Sequence, residues 1–246
     1  MEGTLSNPGI NFRTLEALFA LKAARSREVT CTISVSLLEI YNEQLRDMMV
    51  PAASKGSHPE PLTMRDSGGI GGVTIPGLTS VSVSTHEEVL HLMATAYKNR
   101  TTFSTNMNEH SSRSHCVLSI VVSSFNKVTN TTLKGKLHLI DLAGSERVGK
   151  SGATGDRLKE AQAINKSLSA LGDVIQARAE KKSHIPFRNS VLTHLLSDSL
   201  SGDAKTLMLV NVSPSLLSSE ETFCSLNFAA RVRSVELGQA KKNVHT

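Results

Sequence analysis

The chain has no apolar stretch long enough to span a bilayer. Its longest mostly apolar run, 116–122, falls far short of the ~20 residues a membrane helix needs. It does not open on a secretory leader, since Met1-Glu2-Gly3-Thr4 lacks a basic segment and no apolar run follows. Cysteine is scarce: Cys31, Cys116 and Cys224 each sit in an apolar segment, and none forms a C-x-x-C pair. That usage suits a reducing compartment, argues against a metal site and assigns all three to core packing. Aromatics make up 4% of the residues and tryptophan is absent. The most basic window has Phe187 as its one aromatic, so it offers no platform on which nucleic-acid bases could stack.

What remains is ample for a core. At 246 residues and 39% apolar, the chain reads as one domain or most of one. Apolar, β-branched runs at 29–40, 116–125, 133–141 and 206–212 predict strands, and helical periodicity appears at 12–24, 85–97, 164–178, 191–200 and 222–235. Ser84-Thr85 before Glu87 and Glu88, and Ser218-Ser219 before Glu220 and Glu221, place acids in first helical turns. The alternation predicts an α/β fold, a sheet with helices packed on it. The glycine cluster 66–72 reads as a hairpin turn between short strands.

Charge is informative by location. From Arg147 to Arg188 there are nine Lys or Arg against four Asp or Glu, so the window carries the +5 of the whole chain. A patch so concentrated predicts an acidic partner surface, with a solvated helix face as the bland alternative.

Two segments carry the chemistry. Lys136-Leu137-His138-Leu139-Ile140-Asp141 is an apolar strand ending in an acid, followed by Leu142-Ala143-Gly144. An aspartate at a strand's end can hold Mg²⁺ through water, and a glycine three residues on can offer its N–H to a γ-phosphate. Asn108-Glu109-His110-Ser111-Ser112-Arg113-Ser114-His115 precedes another strand. Small hydroxyls beside an arginine suit a phosphate-sensing loop, the arginine pairing with an acid on a facing loop, for which Glu146 is the natural candidate.

A third segment, GSERVGKS at 144–151, matches the phosphate-cradling pattern G-x-x-x-x-G-K-[ST]. In a working cradle the lysine and hydroxyl residue run directly into a helix whose N–H groups hold the phosphates. Here Gly152-Ala153-Thr154-Gly155 follows, and glycines are poor residues with which to begin a helix. The match fails on context.

In order along the chain, LEIYNE (38–43), GLTSV (77–81), NEHSSRSH (108–115), DLAGSE (141–146), INKSL (164–168) and HIPFRNSVLTHLLSDSLSGDAKTLM (184–208) resemble the signature segments of kinesin motor domains. The resemblance runs from Met1 to about Lys242. It implies a P-loop NTPase-like α/β core with a mixed central sheet flanked by helices, binding ATP and Mg²⁺ and moving on microtubules in the cytoplasm. NEHSSRSH resembles switch I, DLAGSE switch II, and INKSL the start of the relay helix. By that resemblance Ser112 and Asp141 hold Mg²⁺, Ser111 places the attacking water, and Asn108 contacts the phosphate region. Gly144 reads the γ-phosphate, Arg113 and Glu146 form the bridge between the switches, and Asn165 couples those loops to the track. Lys150, Arg157, Lys159, Lys166, Arg178, Lys181, Lys182 and Arg188 face tubulin. One departure is Val191, where many members of the family carry a track-facing lysine.

In kinesins the nucleotide cradle lies upstream of a segment like Met1-Glu2-Gly3-Thr4. The resemblance therefore implies an N-terminally truncated motor domain over residues 1–240, the C-terminal two-thirds, with a short tail at 241–246, inactive as an isolated ATPase. The stretch 228–238 resembles the last helix of C-terminal, minus-end-directed motors, which dimerise through a coiled coil preceding the motor. The alternative expectation is a non-motile microtubule-binding or regulatory fragment. A small GTPase sharing only D-x-x-G is disfavoured, because no N-K-x-D guanine-reading motif occurs.

Overall fold

The computed structural model describes residues 1, 3–4, 6–51, 62–66, 72–102, 112–145, 155–201, 204–236 and 244–245. In chain order the elements are α1 (Ile10–Ala24), β1 (Val29–Tyr41), β2 (Gln44–Asp47), β3 (Arg65–Asp66), β4 (Val73–Thr74), β5 (Val81–Val83), α2 (His86–Thr102), β6 (His115–Asn126) and β7 (Thr131–Asp141). There follow α3 (Asp156–Ala179), a 3₁₀ turn (Phe187–Asn189), α4 (Val191–Leu195), a second 3₁₀ turn (Leu216–Ser218), α5 (Ser219–Arg233) and β8 (Val244–His245).

The principal sheet runs β2-β1-β6-β7-β8, with β5 also on β1. Every pairing among the described residues is antiparallel, so the mixed character expected of the sheet is not visible within them. Its spine is long: β1 pairs β6 from Val29↔Asn126 to Ile40↔His115, and β6 pairs β7 from Cys116↔Asp141 to Asn126↔Thr131. Strands alternate sides with a period of two, and the core divides accordingly. Ile33, Val35 and Leu37 of β1 and Cys116, Leu118 and Ile120 of β6 face α1 and α2, packing with Leu15, Val89, Met93 and Ala96. Leu38, Ile40 and Val117 face the other way, onto Leu192, Leu195 and Leu196 at α4. Burial on both faces explains why these strands read as nearly continuous apolar runs.

Local signals set the ends. Ser84 N–H donates to Glu88 Oε2 (2.8 Å) and Glu88 N–H to Thr85 Oγ1 (3.3 Å), fixing the start of α2. Ser190 and Thr193 form a capping box on α4. The two-residue turn between β1 and β2 needs positive φ at both positions; Asn42 (50°) and Glu43 (60°) supply it. Glu43 is held there by Lys166 (3.1 Å) and by the N–H of Val191 (3.4 Å). The short ladder β3–β4 flanks the glycine cluster, as a hairpin requires, while 67–71 lie outside the described residues.

Two expectations need correction. The segment 206–212 has no regular secondary structure and joins no ladder among the described residues, and it leaves Leu207 79% and Leu209 60% exposed. Strand propensity alone does not make a strand without a neighbour to accept its hydrogen bonds. The helix carrying INKSL begins at Asp156, so Asn165 lies more than two turns inside it and not at its start. Arg157, Leu158, Lys159, Glu160, Ala161 and Gln162 are strong helix formers that extend it back to Gly155.

Candidate nucleotide-switch and track-coupling site

Register brings Ser112, Arg113, Asp141 and Gly144 to one end of the sheet. Because β1, β6 and β7 are mutually antiparallel, the end of β1 at Tyr41, the start of β6 at His115 and the end of β7 at Asp141 lie together. Four sets of hydrogen bonds organise that end.

The first is a buried ionic clamp. Glu39 is 1% exposed, and its Oε1 accepts from Arg100 Nε (2.9 Å) and Ser114 Oγ (2.6 Å). Arg100 Nη2 also donates to Ser114 Oγ (2.7 Å), and Arg46 lies 3.9 Å from the second carboxylate oxygen. Arg100 ends α2 and Ser114 precedes β6, so the clamp fastens both flanks of the segment bearing Asn108 and Ser111. Those two residues lie outside the described residues.

The second joins the two signature loops directly: Gly144 N–H donates to the Ser112 carbonyl at 2.8 Å. The N–H expected to read a γ-phosphate is thus spent on the other loop in this structure. Asp141 is exposed beside it.

The third involves Arg113. Its expected partner, Glu146, lies outside the described residues; Arg113 Nη1 donates to Glu160 Oε2 of α3 at 2.9 Å. Glu160 Oε1 accepts from the Tyr41 hydroxyl. Burial first, then the hydrogen bond to the Glu160 carboxylate, pushes the Tyr41 phenol up to about 12. The Arg46 guanidinium stacks over the Tyr41 ring, 4.4 Å from its centre.

The fourth runs through His115, which is 3% exposed. Its Nδ1 accepts from Ala143 N–H (3.0 Å), Nε2 meets Ser167 Oγ (2.7 Å), and Ser167 Oγ donates to the Ile164 carbonyl (2.7 Å). Burial holds the imidazole pKa down, to about 4.

The basic residues extend from here along α3. Arg157, Lys159 and Lys166 are exposed, Arg178 is half-buried, and Lys181 and Lys182 lie just past the helix end. Several have acidic neighbours: Lys166 with Glu43 (3.1 Å), Lys182 with Glu180 (2.7 Å), and Arg188 with Asp66, which His194 also contacts (2.8 Å). The counted charge therefore overstates what a partner meets. Lys150 lies outside the described residues, and Asn165 is half-buried on α3.

The donors fit Mg²⁺ in kind: a serine hydroxyl and a carboxylate at one strand end are hard oxygen ligands. Among the described residues no three His, Cys, Asp or Glu side chains gather into a metal cage.

An α/β sheet thus carries at one end two signature loops bonded to each other, both tied to one basic helix. The kinesin motor domain profile matches residues 1–235, and the chain belongs to that family. Kinesin-like protein KIN-14Q of Arabidopsis thaliana is 53% identical over 99% of the chain, which spans 20% of that relative; KIN-14R of Oryza sativa is 52% identical, with 24% spanned. Among solved structures, a two-heads-bound KIF14 dimer with AMP-PNP in complex with a microtubule superposes with a TM-score of 0.89 at 36% identity, covering 98% of this chain and 68% of that one. The Saccharomyces cerevisiae KAR3 motor domain gives 0.79 at 40%, covering 94% and 69%. The chain spans about a fifth to a third of its curated relatives.

Sequence reasoning missed Glu39, Tyr41, Glu160 and Ser167 as side chains that hold the loops in place around the site. A signal existed for Glu39, since an acid inside Leu37-Leu38-Glu39-Ile40 must be either paired or misplaced. Glu160 had none, because one acid among helix formers reads as surface.

Proposed function

We propose that this chain is the switch-bearing and track-facing portion of a kinesin motor domain, residues 1–240. In the complete motor it couples ATP binding and hydrolysis to microtubule binding and to movement in the cytoplasm. The observation that carries the reading is the Gly144 to Ser112 bond: phosphate arriving at either loop disturbs the other, and Arg113 passes the disturbance to α3 through Glu160. In this reading Ser112 and Asp141 hold Mg²⁺, which supplies charge neutralisation at the phosphates. Ser111 and Asn108 serve the water and the phosphate region, and Gly144 gives its N–H to the γ-phosphate once that group displaces the Ser112 carbonyl. Arg113 exchanges between Glu160 and Glu146. Hydrolysis in such a site is positioning and electrostatic stabilisation. The exposed bases Arg157, Lys159, Lys166, Lys181, Lys182 and Arg188, with Arg178 and Lys150, meet acidic tubulin. Minus-end direction and dimerisation through a coiled coil upstream are proposed from the C-terminal motor class.

The test is co-sedimentation of the full-length protein with microtubules in AMP-PNP and in ADP. Tight binding in the first and release in the second is expected, with the difference abolished by Asp141→Ala. Identical binding in both states would overturn the motor reading in favour of a non-motile microtubule-binding protein. One observation favours that second reading: among the described residues α3 begins at Asp156, after Gly155 at φ 61°, and not directly after the GKS match, where a phosphate cradle would need it.

A further inference from the structure

The His115 chain specifies its own protonation state. A backbone N–H can only donate, so the Ala143 N–H at 3.0 Å obliges Nδ1 to carry the lone pair. A neutral imidazole then bears its proton on Nε2, which donates to Ser167 Oγ at 2.7 Å. The Ser167 hydroxyl, its lone pair engaged, sends its own proton to the Ile164 carbonyl at 2.7 Å. Each link has one possible direction. All four members are buried: Ala143 is 5% exposed, His115 3%, Ser167 1% and Ile164 8%. Water therefore cannot replace a broken link without opening the structure.

The position of the chain matters more than its strength. Ala143 precedes Gly144, whose N–H holds the Ser112 carbonyl of the other loop. Ile164 and Ser167 are one turn apart on α3, the helix that carries Arg157, Lys159, Lys166 and Arg178. The imidazole thus sits between the turn that closes on phosphate and the helix that faces the track. Arg113–Glu160 is an ion pair at the partly exposed start of that helix; His115–Ser167 is a dry, directional link about two turns further along.

We propose that His115 and Ser167 are positioning residues that fix the 142–144 turn to α3, so that displacement of α3 by the microtubule is felt at the Ala143 and Gly144 N–H groups. This rests on the motor reading above. Neither side chain touches the nucleotide; each acts through the backbone it holds. Coupling between sites is commonly worth a 5–150-fold change in affinity or population.

The experiment compares the full-length protein with its Ser167→Ala and Ser167→Thr forms, measuring ATP turnover without and with saturating microtubules. Ser167→Ala is expected to keep basal turnover within about twofold while the microtubule stimulation factor falls about tenfold, and Ser167→Thr, which retains the hydroxyl, is expected to recover most of it. Unchanged stimulation in Ser167→Ala overturns the proposal, as does a proportional loss of basal and stimulated rates, which would mark a structural prop. A second measurement does not depend on any variant folding: long-range ¹H–¹⁵N spectra of histidine-labelled wild-type protein should show His115 bare at Nδ1 and protonated at Nε2, and the opposite tautomer overturns the relay. Wild-type protein with no microtubule stimulation at all would count against the motor reading, while the tautomer would still judge the link itself.

Discussion

The two sides of the sheet differ sharply. Through the middle of β1 and the first half of β6 the core is dry: Val35, Leu37, Val117 and Ile120 are all at 0% exposure, and only towards the far end of β6 do Val121 and Phe125 reach 38% and 40%. Beyond β7 the same kinds of residue meet solvent. Leu133 and Leu137 lie along that strand, Leu207 and Leu209 along the unpaired segment, and Leu216, Leu217, Phe223 and Leu226 in and before α5. Among the described residues β7 has a neighbour on its far side only at Thr132 and Leu133, from β8, so 134–141 form an open edge. An apolar face and an open edge together are what a sheet shows where another strand belongs. The dry half carries the clamp, the relay and the loop junction.

The comparison can be broken most forcefully by asking the chain to stand alone. The isolated 246 residues are expected to aggregate, or to melt without a cooperative transition, because the open edge and uncovered leucines have no partner. Size-exclusion chromatography with calorimetry checks this, and a monomer with one sharp transition would contradict it.

A smaller effect separates the halves residue by residue. In the full-length protein Glu39→Ala should cost about 3–5 kcal/mol, since it removes the buried carboxylate that faces the Arg100 guanidinium, and Leu37→Ala about 2–5 kcal/mol. Leu209→Ala should cost a comparable amount only if an upstream strand covers it; with the 60% exposure seen here, the cost falls within about 0.5 kcal/mol. Denaturant unfolding of the three variants decides which environment Leu209 occupies.

Acid offers a third probe of the dry half. Folded His115 titrates near 4 against an ordinary 6.5, so between those values the unfolded chain binds the proton and the folded one does not. Stability must then fall as pH drops from about 6.5 towards 4, by on the order of 3 kcal/mol. Burial lowers the His138 pKa as well, in the same sense. Melting temperatures measured across that range should decline, and a flat profile would contradict the buried neutral imidazole.

The smallest effect concerns the track face. Val191→Lys should tighten microtubule binding and make it more salt-sensitive, but modestly, because Glu43, already paired with Lys166, lies against the Val191 N–H and would share the new charge. Co-sedimentation at two ionic strengths measures it; an unchanged affinity and salt slope would contradict the expectation.

Much of this was legible in the sequence for definite reasons. The strands of the dry half announce themselves because both faces are buried where they meet α2 and α4, and the starts of α2 and α5 because acids follow Ser84-Thr85 and Ser218-Ser219 in the first turns. That the loops of Ser112 and Gly144 meet at the end of the strand carrying Asp141 was legible because strand ends and small loop residues have restricted uses. What escaped depends on partners distant in sequence. Glu160 acquires meaning only when α3 brings it to Tyr41 and Arg113, and Ser167 only when His115 points at it. The 206–212 segment was misjudged for the converse reason: its residues favour a strand, and no described neighbour accepts the pairing.

The central claim is that these residues are the switches and track contacts of a kinesin whose cradle is not 144–151. The most direct measurement is nucleotide-dependent microtubule co-sedimentation of the 246-residue chain beside a form extended upstream. The account predicts that the extended form alone binds with AMP-PNP and releases with ADP. Release of the short chain by nucleotide would contradict it and return the nucleotide site to GSERVGKS.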